Sequence, residues 1–215
     1  MKKFIDSWYY LSVFIAGGIM AILGMGDWDL RERTILAATA VLFLHFFEEF
    51  GFPGGFPWIG LHVEMGVTDT DPKTWSLNQL NSLFGNWWCA GAVYLVALAL
   101  PDVRFLTLAV LLFGFIEVIA HLGLFNIALR TWHNPGIVTA VFGLLPLSIN
   151  YFAQAGWGMF TWVDVLLALG WIGLNYWFAF RSPLYRWMGR KSDRFAFSEE
   201  EVMRAKRYID KSAAQ

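Results

Sequence analysis

The chain has 215 residues, of which 57% are hydrophobic and only 15% are charged, whereas a soluble domain is typically about 45–50% apolar and about 25% charged. This composition excludes an ordinary soluble domain. The net charge of −1 comes without a basic stripe, which excludes nucleic-acid binding. The single cysteine, Cys89, excludes an intrachain disulfide framework and a cysteine-based zinc site.

Six stretches are apolar enough to span a bilayer, whose core of about 30 Å requires about 20 helical residues. They predict an all-α, polytopic membrane helix bundle with about six transmembrane helices over residues 1–181. The first stretch is expected to be retained, because it is too long for the apolar part of a signal peptide. The fifth is expected to open at Pro135, since proline suits the first turn of a helix. In chain order the stretches are Trp8–Met25, Thr34–Phe50, Leu77–Leu100, Val103–Leu129, Pro135–Ala155 and Phe160–Phe180.

The remaining residues, 182–215, are polar and are expected to form a tail with a short surface helix, because acidic residues precede basic ones at helical spacing. Six spans place both termini on one side of the membrane. That side would hold most of the basic residues, including those of the tail, and the other side would hold Arg31, Arg33 and Arg104. This imbalance predicts that both termini are cytoplasmic.

Ionisable residues inside spans are rare and by default mark a functional site. The second span carries His45, Glu48 and Glu49, and the fourth carries Glu117 and His121. Residues three or four apart share a helix face, so each set is expected to project to one side. At 1.5 Å per residue, Glu48 lies roughly 22 Å beyond Arg33 and Glu117 roughly 20 Å beyond Arg104. The two sets are therefore expected at one depth, in the cytoplasmic half.

Further polar residues are expected near that depth and are candidate supporting residues. All four histidines fall in the same half of the predicted bundle. The asparagines of the third span also suit interhelical hydrogen bonding without any chemistry. The supporting set is Asn78, Asn81, Asn86, His133, Asn134, His62 and Glu64.

A divalent metal ion would keep several carboxylates ionised in apolar surroundings. Imidazole nitrogen and carboxylate oxygen suit zinc first, and iron or manganese as alternatives. The predicted metal ligands are His45, Glu49, Glu117 and His121, and the predicted catalytic carboxylates are Glu48, Glu49 and Glu117. Three other interpretations stay open: hydrogen bonding between helices, a haem held by two histidines, and a proton relay.

The motifs in these spans resemble those of a known protein family. His45-Phe-Phe-Glu48-Glu49, followed by Phe52-Pro53-Gly54-Gly55-Phe56, resembles the bacterial membrane proteins named for an HXXEE motif. His121 and Asn134-Pro135-Gly136 resemble later segments of that family, although His133 stands where an aromatic residue is expected. The resemblance covers residues from about 34 to 155. It supports roles for His45, Glu48, Glu49, His121 and Asn134, and it implies a bacterial cytoplasmic (inner) membrane location and an enzymatic activity.

The segment 51–58 cannot continue a helix, because proline removes a donor and glycine favours turns. It is expected to form a re-entrant or lid-like turn that closes the site from the cytoplasm. The sequence thus predicts a metal-dependent membrane enzyme, with hydrolysis favoured, acting on a lipidic or apolar substrate among membrane lipids. The alternatives are a proton-coupled carrier, a di-metal oxidoreductase, and an acid catalyst of isoprenoid chemistry.

Overall fold

The computed structural model describes residues 2–213, and this part of the chain is helical with no β-strand. Three of the long helices contain an internal π-helical stretch: Ala90–Leu95, Ile119–Phe125 and Ala140–Leu144. In chain order the helices are α1 (Lys2–Ile5), α2 (Trp8–Met25), α3 (Leu30–Phe50), α4 (Phe56–Met65), α5 (Gln79–Ala99), α6 (Arg104–Ala128), α7 (Ile137–Ala155), α8 (Trp162–Arg181), α9 (Pro183–Gly189), α10 (Ser192–Phe195), α11 (Glu199–Met203) and α12 (Lys206–Ala213).

Capping residues decide where the helices begin, and they shift several predicted boundaries. Helix α3 starts at Leu30 rather than Thr34, because Asp29 and Glu32 form a reciprocal capping box. Helix α5 starts after Asn78, whose side chain accepts from the backbone of the first turn. The expected start of α7 at Pro135 is wrong, because Gly136 has φ of 101° and cannot belong to a right-handed helix.

Among residues 2–213, five helices are long and apolar enough to cross a membrane, which confirms the predicted class of protein. They are Trp8–Met25, Gln79–Ala99, Arg104–Ala128, Ile137–Ala155 and Trp162–Gly189, the last of which includes α9. The predicted second span, α3, is not among them, because charged residues lie near both of its ends. Its 21 residues would still extend about 31 Å. Helix α3 therefore differs from the other five long helices in composition and not in length.

Contacts between helix ends show that the long helices alternate in direction. Arg31, at the start of α3, donates to the carbonyl of Ala97 at the end of α5. Arg104 and Asp164, at the starts of α6 and α8, form an ion pair of 3.1 Å. The Trp8 ring, at the start of α2, lies 5.0 Å from the Phe50 ring at the end of α3. Helices α3, α6 and α8 therefore run one way, and α2 and α5 run the other.

The tail differs from the single surface helix that was predicted, because it forms four short helices packed against one end of the bundle. Its apolar residues Phe197, Val202, Ala205 and Tyr208 are buried. Glu201 is buried as well and accepts hydrogen bonds from the Tyr9 hydroxyl and the Gln79 amide, each at 2.7 Å. The expected spacing of acidic and basic residues is present in the Glu200–Arg204 ion pair of 3.2 Å.

Candidate functional site

Two histidines and two glutamates from α3 and α6 meet inside the bundle. His45 Nε2 lies 3.5 Å from Glu49 Oε1 and 3.6 Å from Glu117 Oε2. His121 Nε2 lies 3.6 Å from each of the same two oxygens. His45 is 2% exposed and His121 is 0% exposed. The two predicted sets thus lie at one level, and we call these four residues the His/Glu cluster.

Asn134 orients the His121 ring and makes Nδ1 a hydrogen-bond donor. The amide nitrogen of Asn134 donates to the carbonyl of His121 and to Asn126 Oδ1, each at 2.8 Å. The amide oxygen of Asn134 must then face His121 Nδ1, which donates to it at 2.5 Å. His121 Nε2 therefore faces the cluster, and in a neutral ring it is the nitrogen that carries the lone pair. No residue in the described part of the chain hydrogen-bonds this buried nitrogen.

His45 is oriented in the same way through Thr139. The Thr139 hydroxyl lies 2.6 Å from Glu48 Oε2 and 2.8 Å from His45 Nδ1. A carboxylate accepts only, so the hydroxyl donates to Glu48 and accepts the proton of His45 Nδ1. His45 Nε2 therefore also faces the cluster, and in a neutral ring it carries the lone pair. Such outer partners are the usual companions of metal-binding histidines.

Glu48 lies apart from the cluster, although it was predicted to be a catalytic carboxylate. Its two oxygens accept from the backbone amides of Val138 at 3.0 Å and Thr139 at 2.8 Å. These amides belong to the first turn of α7, where unpaired donors and the helix dipole favour a carboxylate. Glu48 therefore caps α7 and positions Thr139, whereas Glu49 faces both imidazoles.

The turn before α7 brings backbone unusually close to the histidines. A Cβ atom on Gly136 would lie 2.7 Å from His121 Nε2 and 2.9 Å from His45 Cε1. Gly136 also has φ of 101°, which disfavours any side chain. Asn134-Pro135-Gly136 thus supplies one ligand-orienting amide and one position where only glycine fits.

The segment after α3 also lies against the cluster. Residues 51–55 form a turn, and α4 follows with its Phe56 ring 5.7 Å from the His121 ring. In the tail, Arg204 donates to the carbonyl oxygens of Phe50 and Gly51 at 3.1 Å and 2.6 Å. The carbonyls left unpaired at the end of α3 are thus satisfied from the tail.

An apolar cavity of about 550 Å³ adjoins the cluster and is lined by all four of its residues. Its walls come from the C-terminal halves of α3, α6 and α8, the N-terminal half of α5, and α4. It therefore lies in one half of the bundle. Asn86 is on its wall, and Glu64 and Arg181 lie 3.1 Å apart at its border.

The other supporting residues lie away from the cluster. Asn78 caps α5 and donates to carbonyls of α9, and Asn81 donates to the carbonyl of Ser76. His62 stacks on Trp58 with ring centroids 4.5 Å apart. His133 contacts Arg207 of the tail at 2.8 Å. The residues that the sequence analysis left out of the site are Thr139, Asn126, Gly136 and Arg181.

A family model described as "Protein of unknown function with HXXEE motif" matches residues 36–151. The chain belongs to this family. The match spans the HXXEE motif on α3, His121 on α6 and the Asn134-Pro135-Gly136 turn. The matched region therefore contains every residue of the cluster and the residues that orient its histidines. No curated protein and no solved structure matches the chain.

The donor set fits a metal ion. His45, Glu117 and His121 each offer a ligand atom within 4.8 Å of the others. Two ligand atoms about 2.1 Å from a tetrahedral zinc ion lie roughly 3.4 Å apart, close to the 3.5–3.6 Å separations in the cluster. The unpartnered Nε2 of His121 is the atom that a metal ion would satisfy.

Proposed function

We propose that this HXXEE protein is a metal-dependent membrane enzyme that hydrolyses a bond in a lipidic or other apolar substrate. The observation that carries the proposal is the pair of histidines whose Nδ1 atoms both donate to fixed acceptors, and whose Nε2 atoms both face two carboxylates on the wall of an apolar cavity. Hydrogen bonding between helices would not require a free Nε2 at 0% exposure.

His45, His121 and Glu117 are the proposed ligands, with zinc as the first candidate and iron or manganese as alternatives. Three protein ligands with an open fourth position are typical of catalytic zinc. These three residues would hold a divalent ion, which would supply Lewis acidity toward the substrate and toward water near neutral pH. Thr139 and Asn134 hold the two imidazoles in the required orientation.

Glu49 is the proposed general base. Its Oε1 lies 3.5 Å from His45 Nε2 and 3.6 Å from His121 Nε2, beside the three residues whose ligand atoms lie within 4.8 Å of one another. It would take a proton from the attacking water and pass it to the leaving group, so that water adds across the broken bond. The apolar cavity would hold the chain of the substrate and exclude bulk water from the site.

Two of the three alternatives, the di-metal oxidoreductase and the carrier, fit the structure less well than this proposal does. A di-metal site needs more carboxylates, and Glu48 is already bound by the first turn of α7. A carrier needs access from both faces of the membrane, whereas the residues around this cavity all lie in one half of the bundle. We therefore place hydrolysis first.

Metal analysis of the purified protein tests the proposal directly. We expect about one divalent ion per chain after extraction without chelator, and its loss in His121→Ala and Glu117→Gln. His62→Ala is the matched control and should retain the ion, because His62 stacks on Trp58 away from the cluster. Wild-type protein without a metal ion would refute the proposal.

Glu49→Gln separates the two carboxylate roles. If Glu49 is the base, this variant keeps the ion, while Glu117→Gln loses it. Once a substrate is found, Glu49→Gln should lower kcat by about 10²-fold or more. Loss of the ion from Glu49→Gln would instead make Glu49 a fourth ligand.

A further inference from the structure

A second cavity, with several charged side chains on its walls, opens next to the apolar one. It has a volume of about 1020 Å³, and we call it the basic cleft because its walls carry four basic side chains and two acidic ones. The basic residues are Lys73, Arg181, Arg186 and Arg190, and the acidic residues are Glu64 and Asp193.

Most of this positive charge is unpaired. Arg181 is bound to Glu64 at 3.1 Å. Among residues 2–213, no ion pair includes Lys73, Arg186 or Arg190, and these three side chains are exposed. A cleft with several unpaired cations attracts an anion, and arginine in particular suits phosphate because its planar donors match the phosphate oxygens.

The position of the cleft corresponds to the surface of a membrane. It lies where α8 ends and α9 begins, and there Trp177 is 50% exposed and Trp187 is 49% exposed. Lys191 Nζ lies 4.0 Å above the Trp187 ring. Exposed tryptophans beside basic residues are typical of the headgroup level. An anion in the cleft would thus lie level with lipid phosphates.

The two cavities share a wall. Glu64, Met65, Phe180, Arg181 and Tyr185 line both of them, so the Glu64–Arg181 ion pair separates the basic cleft from the apolar cavity. A molecule with an anionic head and an apolar chain can place its head in the cleft and its chain past this pair toward the His/Glu cluster. A purely apolar molecule would leave the cleft empty.

We infer that the substrate is an amphipathic lipid with a phosphate-bearing headgroup, which the basic cleft binds while a single apolar chain enters the apolar cavity. This inference rests on the proposed function, because it takes the His/Glu cluster as the reacting centre. It assigns Arg186 and Arg190 to substrate binding and gives Arg181, the residue at the shared wall, a role in admitting the chain.

Binding of dodecyl phosphate to the full chain in phosphatidylcholine nanodiscs tests the inference. We expect wild type to bind dodecyl phosphate at least about tenfold more tightly than dodecyl phosphocholine, whose head has no net charge. Arg186→Gln/Arg190→Gln should weaken dodecyl phosphate binding by about 30-fold, since each cation near the surface contributes a factor of about five. Arg194→Gln is the control, because Arg194 is exposed on the same tail but does not line the cleft.

Equal binding of the two amphiphiles, or an equal loss in the double variant and in Arg194→Gln, would overturn the inference. Binding of inorganic phosphate distinguishes the two possible sources of the anion, a lipid headgroup and free phosphate. If it binds as tightly as dodecyl phosphate and with the same dependence on Arg186 and Arg190, the cleft is a site for free phosphate and the lipid assignment is wrong.

Metal content measured on the same samples keeps the two proposals distinguishable. Wild-type protein that holds its ion but does not prefer dodecyl phosphate would overturn the headgroup site and leave the metal centre standing. Preferential binding of dodecyl phosphate by protein without an ion would support the headgroup site and refute the metalloenzyme.

Discussion

Thr139 connects the two halves of the site through one hydroxyl. It donates to Glu48 and accepts from His45, so the orientation of His45 depends on a carboxylate that does not face the cluster. Glu48 in turn is fixed by two backbone amides of α7. The HXXEE motif therefore contains one residue of the cluster at each end and one positioning residue between them.

Replacing Thr139 tests this connection. Thr139→Val removes the hydroxyl at nearly constant shape, which frees the His45 ring and should weaken metal binding by about 10- to 100-fold. Thr139→Ser keeps the hydroxyl and should bind nearly as tightly as wild type. Competition with a chelator of known affinity gives the measurement. Equal affinities of the Val and Ser variants would show that the hydroxyl has no such role.

Gly136 is the second residue on which the site depends. Gly136→Ala would drive a methyl group into both histidine rings and should abolish metal binding. The matched control is Gly156→Ala, because Gly156 also has a positive φ, of 90°, but has no atom within 4 Å of the added carbon. Both variants carry backbone strain, but only Gly136→Ala adds a clash with the histidines. A loss of metal that is specific to Gly136→Ala therefore reports the clash. Retention of the ion by Gly136→Ala would contradict the geometry.

At the scale of elements, each π-helical stretch contains or directly follows a residue of the site or of its cavity. Ile119–Phe125 contains His121, Ala90–Leu95 directly follows the cavity residue Cys89, and Ala140–Leu144 directly follows Thr139. A π stretch adds a residue to a turn and changes the direction of later side chains, and such stretches are frequent at functional sites. Helices α5, α6 and α7, which pack against α3, are thus each irregular near the site.

The C-terminal tail supports the end of α3, and Arg204 is the residue that makes this contact. Arg204→Gln removes a charged donor from the carbonyls of Phe50 and Gly51 and should lower the free energy of unfolding by about 1–3 kcal/mol. Thermal unfolding in detergent, read as Tm, measures the change. Arg194→Gln serves as the control. Equal Tm values for the two variants would show that the tail does not stabilise α3.

At the scale of the whole molecule, the six long helices place the His/Glu cluster toward one end of the bundle. Thr139, in the first turn of α7, contacts Glu48 near the end of α3, so α7 runs antiparallel to α3 as α2 and α5 do. Both ends of the described chain lie together, since Tyr9 bonds Glu201. The cluster, the basic cleft and the tail thus share one side of the molecule.

We predict that this side is the cytoplasm, because the basic residues of the tail lie there. A reporter fused to the C-terminus should be active only in its cytoplasmic form. A second reporter inserted at Asp102, in the short connection between α5 and α6, should be active only in its external form. The opposite pair of results would invert the orientation, and two reporters on one side would contradict the alternating helices.

The sequence by itself determined the helical membrane fold, most helix boundaries to within a few residues, and the common level of the two polar sets along their helices. These properties are local, since hydropathy, capping residues and a rise of 1.5 Å per residue act within one segment. The same local reasoning explains why His45 and Glu49, four residues apart, were correctly expected to face the same way.

Only the tertiary structure distinguished the role of Glu48 from that of Glu49. Adjacent residues point about 100° apart on a helix, and which of them meets α6 and which meets α7 depends on how the helices pack. The same holds for Thr139, Gly136 and Arg181, whose roles come from neighbours distant in sequence. A sequence specifies the directions of side chains along each helix, but the packing of the bundle decides what each side chain meets.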